Sequence, residues 1–163
     1  MNDFSRASQL LFSIIFADDT SVFIEGTHYN GVIEILNEEL KKIEKWLKAN
    51  KLTVNLKKTM YMVFHRAKIK QTKQQVVIDN QDILLVNHTK FLGVIIDNKL
   101  NWTEHITYVK NKISKSIGIL YKTRKYLDKN TLRKLYYTFV YPYLIYCVEI
   151  WGNACNTYLV AII

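Results

Sequence analysis

The chain has 163 residues, of which 23 are Lys or Arg and 14 are Asp or Glu, so its formal net charge is +9. An apolar share of 49% excludes wholesale disorder, and one proline with five glycines excludes a collagen-like or low-complexity chain. Two cysteines, Cys147 and Cys155, exclude a disulfide scaffold and lack a second pair for a zinc site. We therefore predict one domain, or one domain with a small appendage, and an anionic partner such as nucleic acid.

The first half of the chain predicts strands around one helix. Apolar runs over 10–16 and 21–24 flank Ala17-Asp18-Asp19-Thr20, which predicts a hairpin with a polar turn. Apolar residues at helical spacing predict an amphipathic helix over about 30–49, with Asn50 as its stop. Four further segments are predicted from their apolar and polar runs: strands over 53–55 and 60–64, a polar loop over 68–75, and a hairpin over 76–86 that turns at 79–82.

From residue 91 onward the pattern changes from strand to helix. Residues 91–96 predict one buried strand, and Thr103 is predicted as the N-cap of the next helix. The apolar stripe of this helix is predicted to comprise Ile106, Val109, Ile113, Ile117 and Leu120. A second helix, capped by Asn130 or Thr131, is predicted to end or kink at Pro142. The predicted fold class is therefore α+β up to about Trp102, followed by an all-helical part.

Positive charge is segregated into two stretches. Residues 45–78 hold nine basic residues and no acid, and residues 110–134 hold nine basic residues against Asp128 alone. Solvated faces usually mix the two signs, so this segregation favours a surface that follows nucleic-acid phosphates. Two ordinary lysine-rich solvated faces are the alternative.

Neither an export signal nor a membrane span is predicted. The amino end lacks an apolar core, and the apolar stretch 138–151 is too short for a bilayer and contains Pro142 and Glu149. We expect an intracellular protein without a membrane partner, and no signal in the sequence distinguishes nucleus from cytoplasm.

Asp18 and Asp19 carry the strongest chemical signal. Two adjacent carboxylates inside an apolar hairpin are costly unless a cation compensates their charge. On a tight turn both can approach one cation, and such oxygen ligands suit Mg²⁺. A divalent ion there could activate a hydroxyl and stabilise a departing pyrophosphate. The alternative is a solvated turn, where aspartate is common.

Four sequence boxes follow one another in an order that resembles a known family. The first is Phe16-Ala17-Asp18-Asp19 between apolar strands. The other three are Trp46-Leu47-Lys48-Ala49-Asn50-Lys51-Leu52 with Asn55, Lys58-Thr59 and Met62-Val63-Phe64; Phe91-Leu92-Gly93-Val94-Ile95-Ile96-Asp97 with Leu100, Trp102 and His105-Ile106; and Tyr141-Pro142-Tyr143-Leu144-Ile145-Tyr146-Cys147 with Trp151-Gly152. Over about residues 1–153 this order resembles the reverse transcriptases of non-LTR retrotransposons of the jockey-like and LINE type.

The resemblance implies a fold and a set of sites. Residues 1–102 would be the carboxyl half of a polymerase palm, with antiparallel hairpins, one covering helix and a primer-grip hairpin, and residues 103–163 a truncated helical thumb. The full-length parent would be an RNA-directed DNA polymerase that uses Mg²⁺, an RNA template, a DNA primer duplex and dNTP. The implied site residues are Asp18 and Asp19 as metal ligands, Lys58 near the incoming nucleotide, Phe91, Leu92 and Gly93 at the primer end, and Lys110, Lys112, Lys115, Lys122, Arg124 and Lys125 on the nucleic-acid-binding thumb.

Alternatives stay open at several of these positions. Lys58 could be an ordinary surface lysine, and Phe91 and Leu92 could pack in the core while they also hold a primer. Four tyrosines are predicted to be core or helix-packing residues rather than base-stacking platforms: Tyr136, Tyr137, Tyr141 and Tyr143.

The resemblance also implies that part of the polymerase lies elsewhere. A palm needs a further metal-binding aspartate on an upstream strand together with fingers, and both should precede Asp3. We expect an internal piece of a longer polyprotein that is inactive alone, with uncovered apolar positions at Leu11 and Ile15. A non-catalytic nucleic-acid-binding remnant, or a pseudogene product, is the alternative.

Overall fold

The computed structural model of the chain describes residues 3–65 and 74–154. Most of the predicted loop over 68–75 lies outside these ranges, as do Cys155 and four cations of the first basic stretch: Arg66, Lys68, Lys70 and Lys73. The described residues form two compact units that divide between Val86 and Asn87. No helix among them is long and apolar enough to cross a bilayer.

The first unit contains one long helix and six short strands in its described residues. In chain order they are β1 (Phe12–Phe16), β2 (Asp19–Phe23), α1 (Tyr29–Ala49), β3 (Met60–Tyr61), β4 (Val77–Ile78), β5 (Gln81–Asp82) and β6 (Leu84–Leu85). β1 pairs with β2 and β4 with β5 in antiparallel hairpins, whereas β3 pairs with β6 in parallel.

Helix α1 organises the core of the first unit, because its apolar residues recur on one face. The buried core residues are Phe4, Leu11, Ile33, Leu40, Ile43, Val76, Ile78 and Ile83. The predicted helix is confirmed, and Asn50 is its C-cap. The Asn50 side-chain amide donates to the Trp46 carbonyl at 2.9 Å, and Lys51 then leaves the helix with a left-handed φ of 56°.

A buried polar network fixes the segment that precedes β1. Glu39 is only 3% exposed and accepts one hydrogen bond from Lys42 Nζ and one from Ser8 Oγ, each at 2.6 Å. These two bonds hold the pKa of Glu39 below its ordinary value. Because Ser8 Oγ also accepts from the Leu11 N–H at 3.1 Å, the turn before β1 is attached to α1.

The structure corrects details of the predicted elements in this unit. The first hairpin is confirmed, but Asp19 and Thr20 belong to β2 rather than to the turn. Residues 53–55 form no strand, because the Asn55 carbonyl accepts the N–H groups of a following helical turn. Of the strand predicted over 60–64 only β3 forms. Leu11 is buried in the apolar core around α1, so the prediction that it lies uncovered is wrong, whereas Ile15 is exposed.

The hairpin predicted over 76–86 is shorter than expected. It turns at Asp79 and Asn80, whose φ values are 49° and 59°. Residues 84–85 do not pair back within this hairpin; they form β6, which pairs with β3.

The second unit contains one hairpin followed by four helices in its described residues. In chain order they are β7 (His88–Phe91), β8 (Val94–Asp97), α2 (Thr103–Thr123), α3 (Lys129–Phe139), α4 (Tyr141–Ile145) and α5 (Val148–Trp151). Its buried apolar residues are Val94, Ile106, Val109, Ile113, Val140 and Trp151. The α+β class is thereby confirmed, while the division into a palm over 1–102 and a thumb over 103–163 stays a prediction.

Three local predictions for the second unit are wrong. Residues 91–96 are not one strand, because Leu92 and Gly93 turn the chain between β7 and β8. Thr103 is the first residue of α2, and Trp102 is its N-cap. Asp128 caps α3, since its carboxylate accepts the N–H groups of the predicted caps Asn130 and Thr131 at 2.9 and 3.2 Å.

The apolar stripe of α2 is less complete than predicted, and the predicted break after α3 is present. Ile117, predicted on the apolar stripe of α2, is 51% exposed. Pro142 lies in the first turn of α4, after the break that ends α3 at Phe139, so the predicted break is confirmed.

Ile33 and Ile35 offer a matched test of the α1 core, because they are 3% and 43% exposed on one helix. Ile33→Ala should lower the free energy of unfolding by about 3 kcal/mol, since it removes buried methyl groups and leaves a cavity. Ile35→Ala should cost less than about 1 kcal/mol. Urea unfolding followed by far-ultraviolet circular dichroism measures both, and equal losses would contradict the described core.

Candidate functional site

Asp18 and Asp19 lie at the tip of the first hairpin. Phe16 pairs with Asp19, so the turn consists of Ala17 and Asp18 alone. Ala17 has a φ of 53°, a left-handed conformation that costs a residue with a Cβ about 1 kcal/mol. Both aspartates are exposed, and within the described part of the chain neither side chain makes a hydrogen bond or ion pair. The two carboxylates are therefore available to a cation from solvent.

These two carboxylates suit a metal ion whose remaining ligands would come from a bound substrate and from water. In residues 3–65 and 74–154, no group of three or more His, Cys, Asp or Glu side chains could hold a metal ion. Mg²⁺ at phosphoryl-transfer sites commonly keeps several waters and takes one or two carboxylates together with substrate phosphates. The Asp18–Asp19 pair fits that donor set and does not fit a site built from protein ligands alone.

The sheet that carries the aspartates is small and open. β1 and β2 pair only with each other among the described strands, so both outer edges lack a strand partner there. Phe12 lies opposite Phe23, with ring centroids 6.2 Å apart. Phe12 and Phe16 are 67% and 60% exposed. The hairpin tip is therefore accessible from the side of its apolar face.

Lys58 lies in a single helical turn that precedes β3. The Asn55 carbonyl accepts the N–H groups of Lys58 and Thr59, both at 3.0 Å, and also the Thr59 hydroxyl at 2.9 Å. The Lys58 side chain is exposed and makes no ion pair with a described residue. No hydrogen bond or ion pair joins it to Asp18 or Asp19, which is consistent both with a phosphate ligand and with an ordinary surface lysine.

Leu92 and Gly93 form the turn of the β7–β8 hairpin, after Phe91 at the end of β7. Their φ values are 46° and 89°, and positive φ at both central residues defines a type I′ turn. Tyr146 covers this turn, because its hydroxyl donates to the Leu92 carbonyl at 2.6 Å. A Cβ on Gly93 would lie 3.1 Å from Cε1 of the Tyr146 ring, so the close packing favours glycine there.

His105 and Trp151 attach the same hairpin to the helices of the second unit. His105 Nδ1 accepts the Ile95 N–H at 3.2 Å, and its ring meets Trp151 edge-to-face at 5.4 Å. Trp151 Nε1 in turn donates to the Tyr146 carbonyl at 2.9 Å. His105, Tyr146 and Trp151 all lie in the sequence boxes, but no local sequence pattern indicates contacts between distant segments, so this supporting network could not be predicted from the sequence.

The predicted cations of the helical part do not form one surface. Lys112, Lys115 and Lys122 recur at spacings of three and seven residues, so they share one flank of α2, here called the α2 basic stripe. Lys110 lies about 160° around the helix from Lys112. Arg124 and Lys125 follow the end of α2, and the Arg124 guanidinium lies 4.0 Å from the ring centroid of Tyr121. All six predicted cations are exposed and none has an ion pair with a described residue.

Curated proteins that match the chain are RNA-directed DNA polymerases and a Pol polyprotein of non-LTR retrotransposons, so the predicted relation to these reverse transcriptases is confirmed. The RNA-directed DNA polymerase from mobile element jockey of Drosophila funebris is 27% identical over 147 residues, which cover 88% of this chain and 16% of that protein. The probable RNA-directed DNA polymerase from transposon X-element of Drosophila melanogaster is 22% identical, over 88% of this chain and 16% of that protein.

A third relative extends the match to another element. The retrovirus-related Pol polyprotein from type-1 retrotransposable element R1 2 of Nasonia vitripennis is 26% identical over 83% of this chain and 35% of that protein. The chain therefore spans well under half the length of each of these relatives. No protein-family model and no solved structure matches it.

His105 makes the stability of the second unit depend on pH. It accepts the Ile95 N–H at Nδ1, so its proton lies on Nε2, which is buried and has no hydrogen-bond partner among the described residues. Burial lowers the pKa of His105 below its ordinary 6.5. The unfolded chain binds this proton more readily, so stability is full above about pH 6.5 and falls as the pH drops toward the lower folded value.

A matched pair of variants tests this dependence. His105→Asn retains an acceptor but does not titrate. The midpoint temperature of thermal unfolding should therefore decline less between about pH 7 and pH 5 than it does in the wild type. His88→Asn removes an exposed histidine and should leave the decline unchanged. An identical pH profile for wild type and His105→Asn would contradict the assignment.

Proposed function

We propose that the chain is the part of a non-LTR retrotransposon RNA-directed DNA polymerase that holds metal, primer end and template–primer duplex. The observation that carries the proposal is the exposed Asp18–Asp19 pair at the tip of the first hairpin, with Asp18 in the turn and Asp19 at the start of β2, and with no hydrogen bond or ion pair to a described residue. The names of the curated relatives support the polymerase class, and the sequence boxes support the role of each residue.

In the proposed reaction the 3′ hydroxyl of a DNA primer attacks the α-phosphorus of a dNTP, and pyrophosphate leaves. Asp18 and Asp19 would hold Mg²⁺, which when bound neutralises charge on the attacking and leaving oxygens. The Lys58 ammonium would neutralise phosphate charge or donate a proton to pyrophosphate. Phe91, Leu92 and Gly93 would hold the primer end, where glycine lets the backbone approach closely.

The complete catalytic site would need more than this chain. No third acid joins the aspartate pair among the described residues. We propose that a further metal-binding aspartate and the fingers come from other parts of the parent polymerase, since the chain covers only 16% of the jockey relative. On this proposal the 163-residue chain alone does not extend a primer.

A non-catalytic nucleic-acid binder is the second candidate function. The α2 basic stripe favours it, because its cations are exposed and lack ion pairs with described residues. Phosphate contacts of this kind position a duplex without any need for a metal.

The metal role of the aspartate pair can be tested on the full chain with Mn²⁺ in place of Mg²⁺. Bound Mn²⁺ should broaden the backbone NMR signals of the hairpin tip, and Asp18→Asn combined with Asp19→Asn should abolish the broadening. Glu38→Gln removes an exposed acid from α1 and should leave it intact. Wild-type signals at the tip that stay sharp, or broadening that survives in the double variant, would contradict metal binding by this pair.

The α2 basic stripe predicts salt-dependent binding of an RNA–DNA duplex, because each phosphate contact releases counterions. Fluorescence anisotropy across a salt series should show that Lys115→Gln lowers the slope of log affinity against log salt by roughly one. Lys41→Gln makes the same charge change at an exposed lysine of α1, outside the six predicted cations, and should leave the slope unchanged. Affinity that is insensitive to salt would contradict both candidate functions. Salt-dependent duplex binding without metal binding at the aspartate pair would favour the non-catalytic nucleic-acid binder.

A further inference from the structure

Three of the four tyrosines that the sequence predicts as core or helix-packing residues lie on the surface of the second unit. Tyr136, Tyr137 and Tyr141 are 38%, 49% and 40% exposed, so they are not core residues, whereas their mutual ring contacts across α3 and α4 fit the predicted helix-packing role. Tyr143 packs against the cluster formed by Val109, Ile113 and Val140.

The three exposed rings form one cluster across α3 and α4. Tyr137 contacts Tyr136 with centroids 5.4 Å apart and Tyr141 with centroids 5.2 Å apart, both edge-to-face. Despite these contacts the three tyrosines remain 38% to 49% exposed, so part of each ring surface is open to a ligand. Mutual contact also restrains the rings, which lowers the entropy that a ligand must remove.

Positive charge borders this cluster. The Arg133 guanidinium lies 5.9 Å from the centroid of the Tyr137 ring. An open groove of about 620 Å³ follows the same side of α3 and is lined by Asn130, Arg133, Lys134, Tyr137 and Thr138. Helix α3 contains no acid, and its capping Asp128 is engaged with the N–H groups of Asn130 and Thr131.

We propose that Tyr136, Tyr137 and Tyr141, together with Arg133 and Lys134, bind single-stranded nucleic acid. Bases would stack on the open tyrosine faces, and the two cations would neutralise the phosphates between them. Only unpaired bases offer their π-faces in this way, so the site differs from the α2 basic stripe, which needs phosphates alone. It goes beyond the proposed polymerase function, because it adds a place for an unpaired strand and requires no metal.

A protein partner could also cover exposed rings, but the charge favours a polyanion. The groove carries two cations and no acid, and a positive surface attracts nucleic acid in a way that a purely apolar docking face does not. Since every base has a π-face, the site should accept unpaired RNA and DNA alike.

The test uses the full chain and a fluorescein-labelled single strand of about 12 nucleotides without self-complementarity, as DNA and as RNA. Tyr137→Leu should weaken binding by about five- to a hundredfold in fluorescence anisotropy, because a stacking face is lost. Tyr137→Phe keeps the ring and should retain wild-type affinity. Tyr126→Leu removes the 86% exposed tyrosine between α2 and α3 and should also retain it.

Affinity for an RNA–DNA duplex, measured in parallel, distinguishes a failure of this inference from a failure of the proposed function. Tyr137→Leu should leave duplex affinity unchanged, whereas Lys115→Gln should reduce it. Equal single-strand affinity for wild type and Tyr137→Leu would overturn the inference even if duplex binding holds. Failure of the wild type to bind the duplex, with single-strand binding intact, would contradict the proposed function alone.

Sedimentation velocity supplies the remaining control. If Tyr137→Leu alters self-association while single-strand affinity stays the same, the tyrosine cluster is an interface between copies of the chain and the inference is overturned. Retention of affinity in Tyr137→Phe, with loss in Tyr137→Leu, supports stacking whatever the small effects of either variant on stability.

Discussion

A two-stranded hairpin has too little buried surface to be stable alone in water, and this constraint governs both units. Each of the three antiparallel hairpins is attached to a long helix. Val22 and the segment after it anchor the first hairpin to the α1 core, and the Val77 N–H donates to Asn37 Oδ1 of α1 at 3.0 Å in the second. In the third, Ile95 donates to His105 of α2. Each hairpin is therefore attached to a helix, while the tip of the first hairpin, which carries Asp18 and Asp19, stays exposed.

Both tips that carry candidate functional residues contain a conformation that costs free energy. Ala17 and Leu92 have φ values of 53° and 46°, in the left-handed region that residues with a Cβ rarely adopt. Such conformations persist only where the surroundings hold them, and they cluster at functional sites. At Leu92 the hydrogen bond from Tyr146 offsets part of the cost, and at Ala17 the tight turn places both aspartates at the hairpin tip.

The sequence predicted the long periodic elements well and the non-local contacts poorly. Helix α1 is predicted over 30–49 and begins one residue earlier, at Tyr29. This prediction succeeds because apolar residues at helical spacing are a local signal in the sequence. The turn at Leu92 and Gly93 was missed in the element prediction, since the surrounding run is continuously apolar. The bond between Tyr146 and Leu92 joins residues 54 positions apart, which no local pattern encodes. The aspartate pair is recognisable from its residues alone, whereas its division between a two-residue turn (Asp18) and the first position of β2 (Asp19) required the structure.

The claim on which the account depends is that Asp18 and Asp19 hold metal for nucleotidyl transfer. Mg²⁺-dependent primer extension on an RNA template, by the longer polymerase proposed to include this chain, tests it most directly. The account predicts that replacing both aspartates by asparagine abolishes synthesis without loss of fold, while Glu38→Gln retains it. Undiminished synthesis by the double variant would contradict the account.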